Sequence, residues 1–227
     1  MIPAVTKYRS GVTNSKLLLH FDDGNGSTAF TDVYGHTFTA AGGLTESTAQ
    51  AKFGAGSLGA TSSGKYISTP DASDLHFSGD LTWECFVYPT SYPSPVGGIL
   101  GKQNASAAYN SAQILIDSSG GLYFSATTNT VGWSISLHWT GGALALNAWT
   151  HVAWVRNGST FTGYVAGTSV VSGTLAGTLA EQTLALVVGS AYPDTLYPFL
   201  GYIDEVRISN VARYTANFTP PAAAFTF

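Results

Sequence analysis

Apolar and polar positions follow each other along this chain in short runs, and hardly anywhere at helical spacing. Alternation over roughly four to eight residues marks a half-buried strand, and a short unbroken apolar run marks a strand covered on both faces. These patterns predict strands at 17–21, 37–40, 65–69, 81–88, 98–102, 113–117 and 121–126. Further strands are predicted at 133–138, 150–156, 161–165, 169–172, 184–189 and 201–209. Between them stand turn clusters such as Asp22-Asp23-Gly24-Asn25-Gly26-Ser27, Gly141-Gly142 and Tyr192-Pro193-Asp194. Gly, Asn and Asp tolerate the backbone angles that turns require. Two pairs read as hairpins: 113–117 with 121–126, and 150–156 with 161–165 around Asn157-Gly158. The best helix candidate is a single turn at 210–214, and Pro220-Pro221 forces an extended tail. The fold class is therefore all-β, a sandwich or barrel. The chain divides into an arm at 1–16, one domain at 17–221 and a tail at 222–227, with no internal repeat or linker.

Composition narrows the function classes. Charged residues are 10% of the 227 positions, against about 25% in ordinary soluble domains. That is too few for a coiled coil. Hydrophobic content of 44% with a net charge of -4 excludes a disordered chain. Nine Lys and Arg in all cannot supply a phosphate-neutralising surface, so nucleic acid is not an expected partner. The one cysteine, Cys85, rules out an intramolecular disulfide. It shares a strand face with Leu81, Trp83 and Val87 and reads as a small buried hydrophobe. The start, Met1-Ile2-Pro3-Ala4-Val5, has no apolar leader pattern, and no run reaches the ~20 apolar residues of a membrane helix. Synthesis in a reducing cytoplasm without membrane insertion is the expectation.

Three kinds of chemistry deserve a position. Calcium prefers hard oxygen ligands in Gly-, Asn- and Asp-rich loops. Asp22, Asp32 and Asp204 are the candidates for a calcium (Ca2+) site. In the alternative, Asp22 and Asp32 form turns by bonding their own backbone, and Asp204 pairs with Arg207 or Arg156. Glycan cleavage needs two facing carboxyl groups, but Glu84 and Glu205 are isolated on separate strands. Neither a Gly-x-Ser-x-Gly nor a His-Glu-x-x-His motif occurs, so no enzyme is expected. His20 and His151 read as hydrogen-bonded structural residues. Trp133, Trp139, Tyr192 and Tyr197 fall in or beside loops and are the carbohydrate-binding candidates. Aromatics also dominate cores and subunit contacts, which is the competing assignment. Trp83, Trp149 and Trp154 read as structural.

Three blocks of sequence carry a family resemblance. The first is Leu17-Leu18-Leu19-His20-Phe21-Asp22-Asp23-Gly24, with Thr31-Asp32 and Gly35-His36 after it. The second runs Lys52-Phe53-Gly54-Ala55-Gly56-Ser57-Leu58, Tyr66-Ile67-Ser68-Thr69-Pro70 and Phe77-Ser78-Gly79-Asp80-Leu81-Thr82-Trp83-Glu84. The third joins Trp149-Thr150-His151-Val152-Ala153-Trp154-Val155-Arg156 to Gly201-Tyr202-Ile203-Asp204-Glu205-Val206-Arg207-Ile208-Ser209. In this order they resemble the laminin G-like (LamG-like), concanavalin A-like jelly-roll domains of tailed-phage structural proteins. The stretch from Ala212 to Pro221 is similar to the phage version. The resemblance implies a two-sheet antiparallel jelly-roll sandwich that binds rather than cuts. It maps calcium contacts onto Asp22 and Asp204. It also implies a bacteriophage virion protein at the particle surface, adhering to host-surface polysaccharide. The N-terminal arm and the Pro-rich tail add the expectation of docking on other virion proteins through the arm, with a homo-oligomer as a further candidate partner state. The alternative is a purely structural virion component, such as a capsid decoration, fibre or tail-attached protein, with no glycan ligand.

Overall fold

The structure, a computed structural model, describes residues 14–103, 109–193 and 196–226. Residues 1–13 of the expected arm, Asp194 of the expected turn and Phe227 of the tail lie outside the described residues. Strands β1 (Ser15–Leu19), β2 (Thr39–Ala40), β3 (Glu46–Ser47), β4 (Ser57–Leu58) and β5 (Ile67–Thr69) form the first part of the chain. A 3-10 turn at Ser73–Leu75 precedes β6 (Leu81–Pro89), β7 (Val96–Gln103), β8 (Tyr109–Asp117), β9 (Leu122–Ala126) and β10 (Ile135–Trp139). The rest are β11 (Thr150–Asn157), β12 (Thr160–Val165), β13 (Thr168–Thr174), β14 (Leu186–Val188) and β15 (Gly201–Ser209). Every predicted strand has a counterpart here. The two-residue strands β3 and β4 have no hydrophobic period and were not predicted. Ser15 and Lys16 of the expected arm belong to β1.

These strands build two antiparallel sheets. One has eight strands in the order β13-β12-β11-β6-β15-β4-β3, with β1 beside β15. The other has seven, in the order β10-β9-β8-β7-β14-β5-β2. Both expected hairpins form, β8 with β9 and β11 with β12. The main core lies between the sheets. From β6 it takes Leu81, Trp83, Cys85 and Val87, every second residue, as strand geometry dictates. Burial pushes the Cys85 thiol well above its ordinary value, so it stays protonated. Trp154 of β11 donates its indole N–H to the carbonyl of Ser125 on β9 at 3.1 Å, which ties one sheet to the other through the core.

The alternate face of the eight-stranded sheet is also covered. Residues 210–226 run back over it as a strap. Tyr214 and Phe218 stack at 3.5 Å and pack on Ala153, Val155 and Tyr164. Phe225, 4% exposed, packs on Leu18 and Phe86. The helical turn expected at 210–214 does not form, because sheet residues take its backbone groups. Arg213 N–H donates to Thr82 Oγ1 at 3.0 Å, and Thr82 donates to the carbonyl of Val211 at 2.8 Å. Residues 222–226, read from sequence as a tail, are part of this packed strap. Among the described residues, no helix is long and apolar enough to cross a membrane.

Candidate functional site

The seven-stranded sheet has one face in the core and one turned away from it. On β8, Ala112, Ile114 and Ile116 enter the core. Gln113 and Leu115 point the other way and line an open cleft of about 280 Å³, near the lower end of ligand pockets, roughly 300–1,000 Å³. β7 adds Val96 and Gln103, and β8 adds Tyr109 at its start. Two loops bring in further rings.

The loop after β9 carries Trp133. Asn129 Oδ1 accepts the N–H groups of Val131 at 2.9 Å and Gly132 at 3.1 Å, and its Nδ2 donates to Ser134 Oγ at 3.0 Å. The buried Thr127 hydroxyl donates to the carbonyl of Asn129 at 2.7 Å. Trp133 thus projects from a braced turn and meets Tyr109 edge-on, with ring centroids 5.1 Å apart. The loop after β14 carries Tyr192 and Tyr197, a second edge-to-face pair at 5.2 Å. The carbonyl of Tyr197 accepts the N–H groups of Gly98 at 3.0 Å and Ala191 at 3.2 Å, and the Ser190 hydroxyl at 3.2 Å. This loop lies against β7 because Gly98 has no side chain: a Cβ there would sit 1.9 Å from Ala191 N.

Three of the four aromatics singled out by sequence, Trp133, Tyr192 and Tyr197, therefore meet in one cleft. Trp139 does not join them. It ends β10, packs at the edge of the main core and covers Gly141 and Gly142. The sequence reading missed Tyr109, Gln103 and Gln113. Gln113 is 3% exposed, and its Oε1 accepts no hydrogen bond among the described residues. A buried polar atom left so costs about 1–3 kcal/mol. Stacking rings beside such an amide make a site for a molecule with both apolar faces and hydroxyl groups.

Each of the three candidate calcium ligands sits in its own set of backbone bonds. Asp32 accepts Leu18 N–H at 2.7 Å on one oxygen and the N–H groups of Tyr34 and His36 on the other. His36 Nδ1 adds 2.7 Å to that second oxygen, and its Nε2 reaches Asp74 at 3.2 Å. The Asp32 bond, ahead of the Asp74 bond, raises the His36 pKa against the lowering effect of burial. Asp204 accepts Lys52 and Phe53 N–H groups on Oδ2 and Glu205 N–H on Oδ1. Burial pushes its pKa up to about 7 despite these donors. Asp22 accepts Ala55 N–H, under Gly54, where a Cβ would overlap the carboxylate. Asp22 and Asp204 together clamp the 52–55 loop to the segment after β1 and to β15. No group of three His, Cys, Asp or Glu side chains among the described residues is placed to hold a metal ion. Asp204 pairs with neither Arg207 nor Arg156. Arg156 donates to the carbonyls of Gly158 and Gly177 instead.

Glu84 and Glu205 lie on the eight-stranded sheet beneath the strap, not in the cleft. Glu84 is bound by Arg207, by His151 Nε2 at 3.0 Å and by Tyr214 OH at 2.8 Å. Glu205 accepts His20 Nδ1 at 2.8 Å and Phe225 N–H at 2.6 Å. Both histidines are structural partners, as expected.

The sequence matches no curated protein. Solved structures resemble it in fold. One is domain 4 of AbnA, an extracellular GH43 arabinanase of Geobacillus stearothermophilus, in complex with arabinotriose. It superposes with a TM-score of 0.63 at 19% identity, over 88% of this chain and 95% of that one. A second is the binding domain of Paraclostridial Mosquitocidal Protein 1, with a TM-score of 0.65, 13% identity and 88% of this chain covered. A third is the ligand binding domain of botulinum neurotoxin serotype D in complex with N-acetylneuraminic acid, with a TM-score of 0.65, 13% identity and 88% covered. The chain spans about half the length of the two toxin domains, 50% and 48%. A laminin G family profile, described as the concanavalin A-like lectin/glucanases superfamily, matches residues 61–217, more than half of the sequence. The chain belongs to that family, and its two antiparallel sheets are the jelly-roll sandwich that the family resemblance implied.

Proposed function

We propose that this chain is a non-catalytic glycan-binding module, carried on the surface of a phage particle and used to hold host-surface polysaccharide. One observation carries the glycan reading: Trp133, Tyr192 and Tyr197, from two separate loops, converge on the same cleft as Gln113, whose buried Oε1 has no hydrogen-bond partner among the described residues. Sugar rings offer C–H faces for stacking and hydroxyls for such an amide. Two similar folds were solved with a sugar bound, arabinotriose and N-acetylneuraminic acid. Among the described residues, none that lines the cleft carries a carboxyl group, and the reading assigns it no acid-base pair of the kind a glycosidase uses. In this reading Asp22, Asp32 and Asp204 act as clamps on backbone N–H groups, and the calcium arm of the test below asks whether any of them also takes an ion.

The phage setting rests on the resemblance of the sequence blocks. In it the chain is made in the host cytoplasm and attached to other virion proteins through the part of the N-terminal arm that precedes β1. A shallow cleft binds weakly, and many copies on one particle make up the avidity. The test is a glycan array probed with the chain displayed multivalently, with and without calcium. Retention of glycans that Trp133→Ala abolishes supports the reading. Retention of none leaves the purely structural virion role.

A further inference from the structure

The aromatic cleft is unusual in what it lacks. Among the described residues, its lining is made of Pro95, Val96, Leu115 and Ala191, four rings, and the amides of Gln103 and Gln113, none of them charged. The described loop that carries Trp133, residues 127–134, likewise contains no ionisable side chain. The nearest cation along the chain, Lys102, adjoins Gln103 but is fully buried. Its Nζ lies 2.8 Å from Asp71 and 3.2 Å from Glu181. It is committed to an ion cluster inside the protein and has no reach to the cleft.

An anionic sugar brings a carboxylate that loses water on entering. That loss is compensated only by a cation or by several strong donors. Among the described lining residues, the buried polar atom without a partner is an acceptor, Gln113 Oε1, and an acceptor facing a carboxylate is repelled. A hydroxyl serves this amide whichever end is presented, because a hydroxyl both donates and accepts. The rings add stacking that is indifferent to charge.

We infer that the cleft selects neutral glycans and rejects sialylated and uronate-bearing ones. This inference rests on the glycan reading of the same cleft. The experiment uses the full chain on an array of neutral oligosaccharides, each printed beside the same oligosaccharide carrying one sialic or glucuronic acid. The neutral member should bind at least about ten-fold better, the equivalent of one unpaired polar group. Its binding should be unchanged between about 50 and about 500 mM NaCl, since no ion pair is there to screen. Gln103→Arg should draw in the acidic members by about ten-fold and make their binding salt-dependent. Equal or better binding of the acidic members by the unaltered chain overturns this inference alone. Failure of Gln103→Arg to gain them overturns charge as the discriminating feature. Binding to neither kind overturns the glycan reading, and this inference with it.

Discussion

Arg207 and Glu84 stand opposite each other on β15 and β6, and both Nε and NH2 of the guanidinium lie 2.8 Å from Glu84 Oε1. The carboxylate is fully buried under the C-terminal strap and also receives His151 and Tyr214. Burial by itself raises the Glu84 pKa. The His151 and Tyr214 bonds and the Arg207 charge reverse this and hold it below the ordinary carboxylate range. Tyr214 belongs to the strap, so this one carboxylate joins sheet and strap.

Glu84→Ala leaves Arg207 and His151 buried without their partner, and should cost about 3–5 kcal/mol of stability by urea denaturation. The unaltered protein should show a matching acid sensitivity. The folded carboxyl releases its proton more readily than the unfolded one, so its contribution is complete above the unfolded value of 4.5. It is lost as pH falls through the lower folded value. A stability profile that Glu84→Gln leaves unchanged in acid would remove Glu84 from this role.

Glu46 has the opposite sign. It is 1% exposed, its Oε1 has no hydrogen-bond partner among the described residues, and burial, helped by the Asp23 charge, pushes its pKa up to about 7. Ionising it in the folded state is unfavourable. The protein should therefore lose stability as pH rises from 4.5, the unfolded value, through about 7. Glu46→Gln should recover up to about 2–3 kcal/mol at pH values above that window and almost nothing below it. Melting temperatures of both proteins across this window measure the difference.

Trp133 and Trp139 separate binding from packing. Trp133→Ala should weaken glycan binding by about ten-fold or more with little change in melting temperature, since its side chain lines an open cleft and is not part of the core. Trp139→Ala should leave binding intact and cost about 1–3 kcal/mol, because its ring packs against core and glycines. Equal losses of binding in both variants would show that the cleft is not where glycans sit.

The difference between these two tryptophans also shows how far the residue pattern reaches. Alternation through 81–88 placed Trp83 and Cys85 in the core correctly, because strand side chains obey a period of two. It placed 133–138 as one strand, but the strand is Ile135–Trp139. Starting two residues later and ending one later leaves Trp133 in a loop beside the cleft and Trp139 inside the strand, and nothing local in Gly141-Gly142 reveals it. β3 and β4 are too short to carry any period. Phe225 reads as a loose end because its partners, Leu18 and Phe86, are far away in sequence. Gln113 looks like any polar strand residue. Its unpartnered oxygen is a property of the folded neighbourhood alone.

Asp22 and Asp204 show the same limit from the side of chemistry. Aspartates in Gly-rich loops suit calcium or a backbone clamp equally well, and only the fold displays the N–H groups of Lys52, Phe53 and Ala55 that they accept. Such a clamp needs no ion. EDTA should leave the melting temperature and glycan binding unchanged, while Asp204→Asn should loosen the 52–55 loop, raising its amide hydrogen exchange. A rise in melting temperature with added calcium, lost in Asp22→Asn, would assign an ion to this loop instead.

Gly98 links the fold to the cleft most directly. Its own N–H donates to Tyr197 O at 3.0 Å, and its α-carbon faces the Ala191 backbone so closely that a Cβ would fall 1.9 Å from Ala191 N. Neither partner is a flexible side-chain tip that can swing aside, so Gly98→Ala must push the 190–198 segment off β7. Overpacking of this kind costs about 1–3 kcal/mol. Because Tyr192 and Tyr197 ride on that segment, the variant should lose glycan affinity as well as stability, without touching any ligand itself. Tyr197→Ala should lose affinity with stability nearly intact. If Gly98→Ala is destabilised yet binds glycans normally, the tyrosine loop is not part of the site, and Trp133 with Tyr109 must form it alone.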